Sequence, residues 1–141
     1  MSLYFADTAF WVALSLQRDQ FHGRAMQWRD FLGQSGRRIV TTEAVLWEWL
    51  NALSGAKSRS IAAEGYRLVH ADSQVEVVGF GPKVERAAVN LYRGRPDKDW
   101  SLTDCLSFVV MKDRGMTEAL TADHHFEQAG FEAVMQRAPD V

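Results

Sequence analysis

Short apolar runs alternate with longer segments of helical character along the chain, and this alternation constrains the fold more than any other feature. The short runs are rich in β-branched or aromatic residues and stop at polar or turn-forming residues. The predicted strands are Leu3–Ala6, Arg38–Thr41, Val75–Phe80, Ala119–Ala122 and Ala133–Arg137. Strands separated by helices indicate βα units, so we predict an α/β fold whose mostly parallel sheet is covered on both faces.

The helices between these strands are predicted from apolar spacing and from residues that start or stop helices. Val45, Leu46 and Trp49 repeat at helical spacing, and Gly81-Pro82 is typical of a helix start. Gly94–Asp99, with a glycine, a proline and several charges, is predicted to be a loop. The predicted helices are Ala9–Leu16, Gln20–Leu32, Val45–Leu53, Ser58–His70, Pro82–Arg93 and Ser101–Arg114, with a brief one before Gly130.

Length and composition indicate one domain covering residues 1–141. The chain has 141 residues, 47% of them apolar, which is ample material for a core. No apolar run approaches the roughly 18 residues that a membrane helix needs, and the first residues lack a secretory signal pattern. The single cysteine, Cys105, excludes an internal disulfide, suits a reducing cytoplasm and is expected to be a buried helix residue. We therefore expect a cytoplasmic protein without a membrane anchor.

The charge pattern leaves a nucleic-acid partner open. The formal net charge is −2, and four carboxylates under a bound metal would leave −2 + 4 = +2 on the rest of the chain. Basic residues occur in local groups, which are Arg37-Arg38, Lys57 with Arg59, and Arg93, Arg95 and Lys98. Such groups can bind phosphates, but they can equally be solvated surface charge. Charge alone does not decide between these readings.

Four acidic residues fall where a parallel sheet places its ligands, beyond the carboxyl ends of the strands. Asp7 directly follows the first predicted strand, and Asp123 follows the fourth. Glu48 lies on the border of the apolar stripe in the helix after the second strand. Asp104 lies in the first turn of a helix that is apolar nearly all round. The carboxyl edge of the sheet is therefore the predicted site of chemistry.

Each of these acids also has a structural interpretation. Asp7 and Asp123 suit helix N-caps, Ser101-Leu102-Thr103-Asp104 matches a capping box, and Glu48 could be solvated. Their joint placement favours function, because clustered carboxylates in a low-dielectric cleft repel one another unless a cation is present. Mg²⁺ or Mn²⁺ suits carboxylate oxygens, and it would orient a water and stabilise charge on a phosphate.

With these residues in place, the sequence resembles the PIN-domain family, notably the toxins of bacterial VapB–VapC toxin–antitoxin pairs. The resemblance spans nearly the whole chain. The matching segments, in chain order, are Asp7-Thr8-Ala9, Val45-Leu46-Trp47-Glu48-Trp49-Leu50, Asp99-Trp100-Ser101-Leu102-Thr103-Asp104-Cys105, and Leu120-Thr121-Ala122-Asp123-His124-His125-Phe126 with Gly130.

The resemblance implies a single domain with a twisted parallel sheet of about five strands flanked by helices. It also implies a ribonuclease that hydrolyses RNA with a metal-activated water, the metal being Mg²⁺ or Mn²⁺. The catalytic and metal-binding residues that it implies are Asp7, Glu48, Asp104 and Asp123, with Thr8 and Thr121 as supporting hydroxyls. Family toxins are commonly homodimers that an antitoxin neutralises, so we expect both partners beside the RNA substrate. Arg93, Arg95 and Lys98 are the candidate RNA contacts.

Some alternatives stay open at this point. Some relatives carry a further acid just after the fourth one, and His124 and His125 occupy that stretch here, so the number of metals is undecided. A catalytically silent PIN-like module that only binds RNA or a protein is the main alternative function. A phosphorylation receiver or an Asp-x-Asp phosphatase is disfavoured, because Asp7 has no acidic neighbour and Ala9 occupies the place of a second aspartate.

Overall fold

The sheet is parallel throughout, with strand order β3-β2-β1-β4-β5. This computed structural model describes residues 3–140. The strands within that range are β1 (Tyr4–Ala6), β2 (Ile39–Thr42), β3 (Val75–Val78), β4 (Glu118–Leu120) and β5 (Glu132–Ala133). The helices there are α1 (Thr8–Ser15), α2 (His22–Ser35), α3 (Glu43–Ala52), α4 (Arg59–Ala71), α5 (Pro82–Gly94), α6 (Leu102–Asp113) and α7 (His124–Gln128). The predicted α/β fold with a five-stranded parallel sheet is confirmed.

β1 is the central strand of the sheet, and the direction in which successive strands are added reverses beside it. From β1 the chain builds outward through β2 to β3, and it then returns to place β4 on the other side of β1. Phe5 of β1 therefore lies opposite Val40 of β2 and Ala119 of β4. In open parallel sheets the crevice at such a reversal, beyond the strand ends, is the usual place for a ligand.

The central strands are buried along their whole length, as a sheet covered by helices requires. Every residue of β1 and of β2 is buried. The largest fully buried side chains include Phe5, Phe10, Trp28 and Phe126. Helix α6 buries six of its residues, among them Cys105, as predicted from its apolar composition. Among residues 3–140 no helix is long and apolar enough to cross a membrane.

The carboxyl-terminal strand differs from its prediction. The expected strand Ala133–Arg137 is replaced by the two-residue β5 and a 3₁₀ turn, Val134–Gln136. Long-range hydrogen bonds explain the turn, because the Met135 N–H donates to the Thr121 carbonyl at 3.1 Å. The Trp28 indole N–H also donates to the Arg137 carbonyl at 2.9 Å. These contacts bend the chain over the end of β4 instead of extending the sheet.

Two tryptophans link α1, α3 and α4. The rings of Trp11 and Trp49 stack with their centroids 5.6 Å apart, and the Trp49 indole N–H donates to Ser15 Oγ at 2.9 Å. Trp49 also lies against Gly65 of α4, where a Cβ would come 2.5 Å from its ring. The close approach of α4 to α3 therefore requires glycine at position 65.

We expect Gly65→Ala to lower the free energy of unfolding by about 1–3 kcal/mol, because a buried stacked ring must shift to admit the methyl group. Gly33→Ala in α2 is the matched control, since a Cβ there meets nothing within 4 Å. Alanine favours the helix over glycine by about 0.5–1 kcal/mol, so this control should be more stable than the wild type. Urea unfolding of both variants measures the two effects. Equal stabilisation of both would contradict the close packing of Gly65 against the Trp49 ring.

Candidate active site

The candidate site lies at the carboxyl edge of the sheet, between β1 and β4, where the strand order reverses. Asp7 follows β1 directly, and Thr121 and Asp123 follow β4. Asp104 lies in the first turn of α6, and Glu48 lies in α3, which begins directly after β2. All four predicted acids thus occupy elements that start from the same edge of the sheet.

Asp7 is a buried carboxylate that does not act as a helix cap. It occupies the N-cap position of α1, yet its side chain makes no capping hydrogen bond. Instead, the Thr121 hydroxyl donates to Asp7 Oδ2 at 3.0 Å, across 114 positions of sequence. Asp7 is only 6% exposed. The capping interpretation of Asp7 is therefore wrong, because its carboxylate is held by Thr121, the residue directly after β4.

Burial raises the pKa of Asp7 from its ordinary value of 3.8 to about 7. The negative charges of Asp104 and Asp123 raise this pKa further, while the nearby Thr8 backbone N–H and the Thr121 hydroxyl lower it. Three aspartates are thus close enough to interact through their charges in a poorly solvated place. A cation bound between them would oppose this shift, because it compensates the buried negative charge.

Asp104 and Asp123 do act as helix caps, and they retain exposed carboxylate surface. Asp104 forms a capping box with Ser101, with bonds of 3.0 and 3.1 Å in the two directions. Asp123 Oδ1 accepts the backbone N–H of His125 at 2.9 Å. Burial, and next the charge of Asp123, raise the pKa of Asp104 despite its bond to the Ser101 N–H. Capping fixes where these carboxylates lie, and it does not exclude their use as ligands.

A histidine that follows Asp123 in the sequence lies between these two aspartates. His125 Nδ1 lies 3.4 Å from Asp104 Oδ2 and 3.4 Å from Asp123 Oδ1. His124 Nδ1 lies 3.6 Å from Asp123 Oδ1, on a side chain that is 70% exposed. In the sequence, only their position directly after Asp123 indicated that these histidines could belong to the site. That position did not show which way the rings point.

Glu48 is linked to the same edge of the sheet by a hydrogen bond from Thr8. The Thr8 hydroxyl donates to Glu48 Oε1 at 3.0 Å, so the residue after Asp7 orients the glutamate of α3. The two hydroxyls named from the sequence, Thr8 and Thr121, therefore each hold one of the four carboxylates. A third hydroxyl, that of Thr41, was not anticipated. It donates to the Ala6 carbonyl at 2.8 Å beside the start of this site and accepts the Trp11 indole N–H at 3.3 Å.

The four acids do not form one compact group in the structure. Within residues 3–140, ligand atoms of three candidate metal-binding side chains come within 4.8 Å of one another only in Asp123, His124 and His125. Hydrogen bonds with Thr8 and Thr121 fix Glu48 and Asp7 outside this group, and Asp104 touches it only through His125. Separation is also the arrangement that unscreened like charges favour.

The donor set at this edge fits a hard divalent cation. It consists of carboxylate oxygens, one of them buried and not compensated by a basic residue in its contacts, as the raised pKa of Asp7 indicates. Mg²⁺ uses one or two carboxylates and keeps several waters, so it does not need four carboxylates in direct contact. Asp7 and Asp104 would therefore be sufficient to hold such an ion.

The predicted basic contacts lie on α5 and on the loop before α6. Arg93 is exposed in the last turn of α5. Arg95 pairs with Asp97 at 3.0 Å, and its guanidinium lies over the Trp100 ring. Lys98 lies 3.9 Å from the same aspartate. Two of the three basic groups are therefore partly neutralised, while Arg93 forms no ion pair with any acid among residues 3–140.

Comparison with known proteins identifies the family. The PIN-domain family model matches residues 4–132. VapC20 of two Mycobacterium tuberculosis strains, named a 23S rRNA-specific endonuclease, is 30% identical over 132 residues, covering 92% of this chain and 95% of VapC20. The crystal structure of M. tuberculosis VapC20, described as a sarcin–ricin loop cleaving toxin, superposes with a TM-score of 0.81 at 28% identity, covering 94% of this chain and 98% of that one.

A more distant structure supports the same fold. VapBC2 from Rickettsia felis, bound to a DNA fragment from its promoter, gives a TM-score of 0.67 at 16% identity, over 90% of this chain and 92% of that one. The resemblance inferred from the sequence is confirmed, because the family model and the M. tuberculosis relatives all span nearly the whole chain. The protein is a member of the PIN-domain family.

Proposed function

We propose that this protein is a metal-dependent endoribonuclease that hydrolyses phosphodiester bonds of RNA. One observation carries the proposal. Asp7, Asp104 and Asp123 interact through their charges beside β1, where the strand order reverses. Structural acids would each be compensated locally, whereas Asp7 is buried with its pKa raised to about 7. The PIN-domain family and the endonuclease relatives favour the same chemistry.

The carboxylates have distinct tasks in this proposal. Asp7 and Asp104, from the centre of the sheet and from α6, bind the ion, and Thr121 holds Asp7 in place. Glu48, oriented by Thr8, accepts a proton or a hydrogen bond from the attacking water. Asp123 completes the negative surface on the β4 side. Bound Mg²⁺ or Mn²⁺ supplies an acidic water and stabilises the charge that develops on the phosphate.

The named relatives support a substrate class and an antitoxin partner. VapC20 is named for cleavage of 23S rRNA, so we infer a structured ribosomal RNA as the substrate class here. We also infer that the chain is the toxin of a toxin–antitoxin pair, that it forms a homodimer and that an antitoxin covers its active site. Because ribosomal RNA is the target, its place of action would be the cytoplasm. The buried single thiol of Cys105 is consistent with that compartment.

Cleavage of ribosomal RNA by the purified protein tests the function. Ribosomes and naked RNA are incubated with Mg²⁺, with Mn²⁺ or with a chelator, and primer extension locates the cuts. We expect discrete cuts that disappear with the chelator and return when metal is restored. Intact RNA in both metals would favour the catalytically silent alternative, whose prediction is binding without cleavage. Cuts that survive the chelator would contradict metal dependence.

Arg93→Ala is expected to weaken RNA binding in a salt-dependent way. Each phosphate contact that is lost lowers the slope of log Kd against log salt concentration by about one. Fluorescence anisotropy with labelled RNA over a series of salt concentrations measures that slope. Arg29→Ala is the control, because Arg29 lies beside Ile39 and Gln74, at the starts of β2 and β3 and thus at the opposite edge of the sheet. An unchanged slope for Arg93→Ala would exclude it as a phosphate contact.

A further inference from the structure

Two adjacent histidines lie beside the carboxylates and have no task in the proposed reaction. One ligand atom from each of Asp123, His124 and His125 lies within 4.8 Å of the other two. His125 Nδ1 is 3.4 Å from Asp123 Oδ1, and His124 Nδ1 is 3.6 Å from the same oxygen. The ring centroids of the two histidines are 4.4 Å apart. Two imidazoles and one carboxylate therefore converge on one small volume.

Local contacts hold this cluster in place from both sides. The Asp123 carboxylate accepts the His125 backbone N–H, and the Asp123 backbone N–H donates to Thr121 Oγ1 at 3.1 Å. The next residue, Phe126, is fully buried and packs its ring against Phe108 at a centroid distance of 4.9 Å. The segment that carries the three side chains is thus anchored to β4 and to the core.

The cluster is accessible from solvent. The side chains of Asp123, His124 and His125 are 33%, 70% and 21% exposed. An ion can therefore reach all three side chains without any opening of the fold. Partial burial of His125 also limits its rotation, which lowers the entropy that binding an ion would cost.

The donor atoms differ in kind from those of the carboxylate site. Mg²⁺ takes oxygen ligands, whereas imidazole nitrogen suits transition metals such as zinc. Two histidines and one carboxylate are a recurrent zinc ligand set, and they leave a fourth tetrahedral position for water. We propose that Asp123, His124 and His125 bind a divalent transition metal of the zinc class, next to the oxygen-lined magnesium site. The inference rests on the proposed function only in that Asp123 also contributes negative charge to the carboxylate site.

A titration without RNA tests the site. The full chain, freed of any histidine tag, is titrated with zinc by calorimetry, and with cobalt while the visible absorption bands of the bound ion are recorded. We expect one equivalent of zinc to bind, and His124→Asn and His125→Asn each to weaken binding about tenfold or more. His70→Asn is the matched control, because His70 pairs with Glu43 at 2.6 Å on α3 and α4 and lies outside the cluster. This control should bind zinc like the wild type.

Equal zinc affinity in the wild type and in both cluster variants would overturn the proposal, and so would an equal loss in His70→Asn. His124→Asn alters an exposed side chain, so it decides the matter if His125→Asn disturbs folding. The two proposals fail in different ways. Zinc binding with RNA left intact under Mg²⁺ contradicts the nuclease function alone. Cleavage under Mg²⁺ without histidine-dependent zinc binding contradicts this inference alone.

Discussion

Asp7→Asn is expected to reduce RNA cleavage strongly and at the same time to make the metal-free protein more stable at pH 8. Asparagine keeps the shape of the side chain and can still accept the Thr121 hydroxyl, but it lacks the negative charge that an ion requires. Cleavage should fall by roughly 100-fold or more, since even the loss of a residue that only supports a metal ligand costs about 10–100-fold. Stability should rise, because the variant no longer buries a charged carboxylate.

The size of the stability gain follows from the pKa of Asp7, which is about 7 in the folded protein against an ordinary value of 3.8. The difference of about 3 units corresponds to at most roughly 4 kcal/mol at a pH above both values. Because the pKa of Asp7 is higher in the folded than in the unfolded state, protonation of Asp7 favours the folded protein. This stabilisation is complete below about pH 4 and is lost as the pH rises through about 7. Asp7→Asn should flatten this decline.

The measurements are urea unfolding in a chelator from pH 4 to pH 8, and cleavage assays on the same preparations. Asp30→Asn serves as the control, because Asp30 forms an exposed ion pair with Arg29 on α2 and should alter neither quantity much. Cleavage by Asp7→Asn at the rate of the wild type would point to a contaminating nuclease or to a different site. A variant less stable than the wild type at pH 8 would contradict the cost assigned to the buried charge.

Binding of Mg²⁺ or Mn²⁺ is expected to raise the melting temperature by roughly 8–11 °C at a concentration one hundred times the dissociation constant. Metal that binds only the native state stabilises it by about 2.7 kcal/mol at one hundred times the dissociation constant. For a domain of this size, each kcal/mol corresponds to about 3–4 °C. Asp104→Asn should reduce this gain, since its carboxylate is half-buried beside Asp123 and is one of the proposed ligands.

The gain should also increase with pH. The ion must displace the proton from Asp7, whose pKa is about 7, so binding at pH 8 should be tighter than at pH 6. Thermal melts with metal chloride are compared with melts in sodium chloride of equal ionic strength, which removes the general effect of salt. A melting temperature that does not move at millimolar metal concentration would contradict the proposed ion site. An equal rise in melting temperature in the wild type and in Asp104→Asn would exclude Asp104 as a ligand.

Local patterns in the sequence were sufficient for the fold class and for the neighbourhood of the site. Strand-like runs and helical spacing depend on nearby residues, so β1, β2 and most helices fall within a few residues of their predicted bounds. The acids at the strand ends were recognisable for the same reason, because parallel strands bring their carboxyl ends to one edge. The family resemblance then indicated which of those acids belong together.

Tertiary contacts decided what each acid does. Whether Asp7 caps α1 or faces a site could not be read locally, since its partner Thr121 lies 114 positions away. The position of His125 between Asp104 and Asp123 likewise depends on how α6 and α7 pack together. The 3₁₀ turn after β5 replaced an expected strand because Met135 bonds to the end of β4. Residue spacing along the chain determines the helices and strands. The orientation of a side chain depends on its burial and on partners distant in sequence, which only the folded structure specifies.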